Sequence, residues 1–207
     1  MSLVLLKRRN VLLAKKMSGK TYFSTADIAL TGVFCAVWAA LNLILGPLSF
    51  QLLHLPILHD FAVYFTLLLT VWATGRFGTS IIVGIIGTMV AISLGGPTLI
   101  ICFAASAVIF DLLLFASHHQ ISILKYNLAI AAIATVVSAY VAGLLIGVLF
   151  TPGQTVQWAM TFWGGWHAVG GIMSIVITFP IIISLEKANV RRIRPTNVKD
   201  SKEKASF

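Results

Sequence analysis

The side chains best suited to chemistry in this 207-residue chain stand in one stretch, Trp163-Gly-Gly-Trp166-His167-Ala-Val-Gly170-Gly171. At about 100° per residue, Trp163, Trp166, His167, Gly170 and Ser174 share one helical face. Gly164, Ala168 and Gly171 form a neighbouring strip of small residues, where another helix can approach closely. Two indoles and an imidazole on one face suit the wall of a ligand cavity inside a membrane bundle. The plainer reading is a tryptophan belt at the lipid–water boundary, and Trp158 fits that reading better. Other polar groups reach the same depth: Asn42, Gln51, His59, Asp60 and Tyr140. Polar and aromatic side chains converging at one level are what a small-molecule site in a membrane needs.

The spacing excludes several chemistries. His54, His59 and Asp60 invite a metal, but His-x4-His-Asp matches no familiar zinc pattern, and two ligands five residues apart do not share a helix face. There is no phosphate-binding Gly-x4-Gly-Lys-Ser/Thr loop, no His-Glu-x-x-His and no Gly-x-Ser-x-Gly. No nucleophile stands beside a base, so an enzyme is not expected. No cofactor is implied.

These residues need elements to hold them. The chain is 58% hydrophobic and 10% charged, against about 25% charged in a soluble domain. Six apolar segments can be read, at 26–46, 56–74, 78–94, 97–117, 126–150 and 157–185. A helix of ~20 residues crosses ~30 Å of hydrocarbon. The prediction is an all-α integral membrane protein, a bundle of six transmembrane helices. A basic segment 1–25 precedes the membrane domain 26–186, and a basic tail 187–207 follows it. The fifteen Lys and Arg residues fall in the two tails, at Arg76 and at Lys125. With six spans all lie on one side, so both termini are expected to be cytoplasmic. The charge of +9 is thus a topology signal with attraction to anionic lipid, and does not point to nucleic acid.

The first segment carries a small-residue face, Ala29, Gly32, Ala36, Ala39 and Ala40, suited to close helix packing within the bundle or against another subunit. Gly46-Pro47 is expected to end this helix, leaving 46–56 as an apolar lid over one face. Asp111 lies about 21 Å below Pro97 by the ~1.5 Å rise, where a lone carboxylate costs about 2.5–3.5 kcal/mol to insert. A structural or coupling role fits it best. His118 and His119 read as a solvated loop.

The stretch Thr25-Ala-Asp-Ile-Ala-Leu-Thr-Gly-Val-Phe-Cys-Ala36-Val-Trp-Ala-Ala40, the run from Gly87 through Gly95-Gly-Pro97 into Phe110-Asp-Leu-Leu-Leu114, and the last helix with its basic tail resemble the substrate-capture (S) component of energy-coupling factor (ECF) vitamin transporters. The Leu-Gly-Gly-Pro turn looks most like the thiamine and hydroxymethylpyrimidine branch. The resemblance implies capture of a small water-soluble vitamin or precursor from outside. It implies that Gly32, Ala36 and Ala40 dock a transmembrane coupling subunit driven by two cytosolic ATPases. The indoles with Asp60 would then receive a flat heterocycle, including a cationic one, by stacking and charge pairing. A membrane-embedded assembly protein and a cobalt or nickel uptake subunit are the alternatives.

Overall fold

The computed structural model describes residues 22–122 and 125–188, with Val190. The expectations for residues 1–21 and for the tail beyond Val190 lie outside the described residues. Among the described residues there is helix and connection but no strand. The helices are α1 (Thr25–Leu53), α2 (Ile57–Thr74), α3 (Thr79–Ser93), α4 (Ile101–Leu113), α5 (Lys125–Phe150) and α6 (Val156–Lys187). Short 3-10 turns, Thr98–Ile100 and Leu114–Ser117, extend α4 at both ends. With those turns counted, five of the six are long and apolar enough to cross a membrane. The exception is α3, whose 15 residues rise about 22 Å.

Outward-facing apolar side chains such as Ile28, Ile44, Leu112, Ile133 and Val176 are more than half exposed. The interior holds Trp38, Tyr64, Phe103 and Phe110, all fully buried, together with many Thr and Ser hydroxyls. This pattern, oily outside and mixed inside, is that of a chain solvated by lipid, where helices associate by packing and hydrogen bonds. Several of the hydroxyls bond the carbonyl one turn back in their own helix. Thr66 and Thr70 are examples, at 2.8 Å each, so they sit inside without an orphaned donor.

The end of the bundle that holds Ser24 and Ala188 is fastened by acids. Ser24 and Asp27 cap α1 reciprocally, with bonds of 2.8 and 3.1 Å. The same Asp27 carboxylate lies 3.4 Å from Arg76 Nε in the α2–α3 connection. Asp111 accepts from the Gly78 backbone N–H at 2.6 Å and from the Ser80 hydroxyl. It therefore caps the start of α3 from α4. At the other side of this end, the Trp72 indole donates to Glu186 at 3.3 Å.

Two local expectations need correction. The first helix does not stop at Gly46-Pro47 but runs on to Leu53. Proline forfeits one hydrogen bond inside a helix, and beyond it Ser49 fastens the last turns to α2. Its hydroxyl donates to Leu55 O at 2.5 Å and accepts from Leu58 N at 2.9 Å. The link to α2 is thus only residues 54–56, with His54 in the left-handed region at φ 56°, and no lid exists there. Nor is His119 solvated. Positive φ at His118 and His119 folds the chain back, which buries His119 and brings its Nε2 to 3.0 Å from Asp111 O. His118 stays exposed.

Candidate functional site

At the end of the bundle away from Ser24, α6 begins irregularly. Residues Ala159–Trp163 form a π turn before regular helix resumes at Gly164. Such insertions are common where a helix must re-aim a functional side chain. After the turn, α6 runs against α5 through glycines. A Cβ on Gly143 would lie 2.6 Å from both His167 Cδ2 and Trp163 O. One on Gly164 would lie 2.7 Å from the Tyr140 ring, and one on Gly171 would lie 2.9 Å from Ala139 Cβ. Missing side chains on both helices let the backbones meet, and His167 is pressed across the gap toward α2.

Gly170 completes that approach. A Cβ there would lie 2.5 Å from Asp60 Cβ, so only glycine lets the start of α2 rest on α6. The result is a direct bond: His167 Nδ1 stands 2.8 Å from Asp60 Oδ1. One turn on, the Ser174 hydroxyl lies 3.3 Å from Asp60 O and 3.2 Å from Gly170 O. The pair is closed off, with Asp60 0% and His167 1% exposed.

His59 lies beside it, 2% exposed. Its ring packs on Gly46 of α1, where a Cβ would be 3.5 Å away, and meets Phe103 of α4 edge-on with centroids 4.7 Å apart. Phe103 also meets His167 at 5.7 Å. Trp163 lies 5.8 Å from His167 and 6.3 Å from Phe50. Four helices thus bring two imidazoles, one carboxylate, an indole and two phenyl rings to one place.

This cluster holds many polar atoms without a hydrogen-bond partner. They are Asp60 Oδ2, both nitrogens of His59, His167 Nε2 and Trp163 Nε1, together with Asn42 Oδ1 on the buried face of α1. The Asn42 amide nitrogen is already used by Trp38 O, at 2.8 Å. Buried side-chain polar atoms are almost always bonded, and each exception asks for a reason. Donors and acceptors beside aromatic faces are what a site for a small polar ring requires.

The sequence-predicted residues divide. Asp60, His59, His167 and Trp163 are brought into the cluster, while Asn42 is buried on α1 one turn before Gly46. Gln51 is exposed on the far turns of α1, because the helix continues past Pro47 and turns it outward. Tyr140 is half-buried and packs on Gly164. Trp166 is half-buried and makes none of the described ring contacts. The buried positions His167, Gly170, Gly171, Ser174 and Thr178 set the inner face of α6, and Trp166 lies about 100° away from His167. Trp158 is half-buried and stacks on Phe162, 5.2 Å apart and 15° from parallel. Phe103 and Phe50 had no signal of their own in the sequence, since a phenylalanine in an apolar helix looks like packing.

The small-residue strip of α1 also divides. Ala39 is buried, whereas Ala29, Gly32, Ala36 and Ala40 are exposed, and nothing lies within 4 Å of a Cβ placed on Gly32. Beside them runs an apolar groove of about 370 Å³ between α1 and α3, lined by Thr31, Gly32, Cys35, Ala36, Ile82 and Ile86 among others. This face is therefore not used inside the bundle. Among the described residues no three His, Cys, Asp or Glu side chains are placed to hold a metal ion. No family model matches the chain, and no curated protein or solved structure matches it.

Proposed function

We propose that this chain is the substrate-capture subunit of an ECF-type importer, a multi-pass protein of the cell membrane. In this reading all six helices span, both termini are cytoplasmic, and the Asp60–His167 cluster lies in the outer half of the bilayer. The chain binds a small water-soluble vitamin or precursor, with thiamine or its hydroxymethylpyrimidine moiety as the leading candidates. It has no ATPase of its own and works with a transmembrane coupling subunit and two cytosolic ATPases. The observation that carries the reading is the set of unpartnered buried polar atoms at Asp60, His59, His167 and Trp163, framed by aromatic rings. In support, α1 leaves Gly32, Ala36 and Ala40 exposed as a face that another helix can meet closely.

The second reading is a membrane assembly protein, and the same exposed strip favours it. In that case Asp60–His167 is only a staple between α2 and α6. Metal uptake has less support, since among the described residues no three His, Cys, Asp or Glu side chains are placed to share an ion.

The two readings part on one experiment. Ala36→Leu and Ala40→Leu are expected to abolish co-purification with a coupling subunit and to stop vitamin uptake in cells expressing the whole importer. A branched side chain would hold the backbones apart. Vitamin binding by the isolated subunit should be unchanged, because both residues point away from the cluster. Normal uptake by both variants would remove this face from the docking role.

A further inference from the structure

The charge of the buried cluster says what kind of ligand it accepts. Among the described residues four are acidic: Asp27, Asp60, Asp111 and Glu186. Three of them belong to the other end of the bundle, where Asp27 meets Arg76, Asp111 caps α3 and Glu186 meets Trp72. The described cations Arg76, Lys125 and Lys187 also lie toward that end, next to helix termini. Asp60 is thus the one described acid of its half, and the one basic partner within reach is His167, at 2.8 Å.

The groups packed around the pair offer no other charge. On α2 itself the titratable neighbours are His59 and, one turn on, Tyr64, whose hydroxyl already bonds Ser106 at 3.0 Å. From α4 comes Phe103 and from α5 Gly143, neither of which titrates, and Gly46 of α1 touches His59. From α6 come His167, Gly170 and Ser174. A fully buried carboxylate with an uncharged imidazole would leave one net negative charge in a medium of low dielectric. Uncompensated charge there is strongly disfavoured, and the group takes up a proton instead.

We propose, resting on the capture reading above, that the Asp60–His167 pair carries zero net charge and that the site selects an uncharged flat heterocycle over one bearing a fixed positive charge. Such a ligand needs both hydrogen-bond donors and acceptors. It meets an acceptor in Asp60 Oδ2 and a donor in Trp163 Nε1, while His59 offers one of each in its neutral form. This favours an uncharged ring and disfavours thiamine, whose thiazolium is a permanent cation. A fixed cation can enter such a site only by replacing the proton. Its binding is then linked to proton release, and its affinity rises about tenfold per pH unit until the pair has lost that proton.

The test uses the purified full-length protein with hydroxymethylpyrimidine, riboflavin and thiamine, titrated by calorimetry from about pH 6 to about pH 9. The expected result is that an uncharged probe binds with an affinity that stays level above about pH 7. Thiamine should bind at least tenfold more weakly near pH 7 and gain affinity as pH rises. In Asp60→Asn the gain of thiamine with pH should vanish. Thiamine binding tighter than either uncharged probe, and level with pH, would overturn the zero-charge pair and leave the capture reading standing. Binding of none of the three would overturn the capture reading itself, and this inference with it.

Discussion

His167→Leu and Asp60→Leu are each expected to destabilise the protein by about 3–5 kcal/mol, the usual cost of stranding one member of a buried pair. The joint variant should recover most of that loss. The reason is geometric. Asp60 Oδ1 and His167 Nδ1 meet at 2.8 Å with neither side chain more than 1% exposed, so neither partner has water to fall back on. Two apolar side chains of similar size remove both desolvation penalties together, and such replacements are often neutral or stabilising. Equilibrium unfolding of the three variants in detergent micelles gives the coupling energy directly. A joint variant as unstable as the two singles summed would mean that the residues do not act as a pair. The folded joint variant is also informative about function, because it should bind no vitamin. Retained binding would reduce the pair to a staple.

The next largest effect belongs to a glycine. Gly143→Ala is expected to cost about 1–3 kcal/mol, the usual penalty for overfilling a packed interior, and to weaken ligand binding as well. The new Cβ would meet His167 Cδ2 and Trp163 O at 2.6 Å. One of those is a backbone oxygen in the π turn and cannot swing aside, so α6 must retreat and take His167 with it. Gly165→Ala is the control on the same helix, since nothing lies within 4 Å of its Cβ. It should be neutral or slightly stabilising through helix propensity, worth up to about 1 kcal/mol. Thermal unfolding of both proteins checks the contrast. Equal melting temperatures for the two would contradict the close α5–α6 approach.

The amino-acid sequence makes the helices legible because lipid solvation forces long apolar runs, and the ends of most of them fall within a residue or two of the expected segments. It also places Asp60 and His167 at one level. It does not show that they touch, because the bond joins residues 107 apart in the chain and depends on glycines at 143 and 170 that are silent as side chains. The misread end of α1 has a different cause. A proline rule framed for isolated helices ignores the compensation that Ser49 supplies from beyond Pro47. Gln51 lies on that extension and is exposed. Trp166 was grouped with His167 by a wide helical face, and the buried glycines narrow that face. Asp27 was legible in principle, as the fourth residue of a Ser-x-x-Asp capping box. Its ion pair with Arg76 was not, because it depends on how the α2–α3 turn meets the start of α1.

The cluster around Asp60 and His167 is proposed to hold a small polar ring. The most direct measurement is tryptophan-fluorescence titration of folded wild type and Trp163→Ala with hydroxymethylpyrimidine, riboflavin and thiamine. Trp163 is the indole that meets His167 and has an unpartnered N–H. Wild type is expected to bind one of these compounds with a saturable change in emission. The variant, shown to be folded by its melting curve, should bind it at least tenfold more weakly, about 1.4 kcal/mol. Equal affinity in the two proteins, measured for the variant by calorimetry, would contradict the placement of the ligand among these side chains.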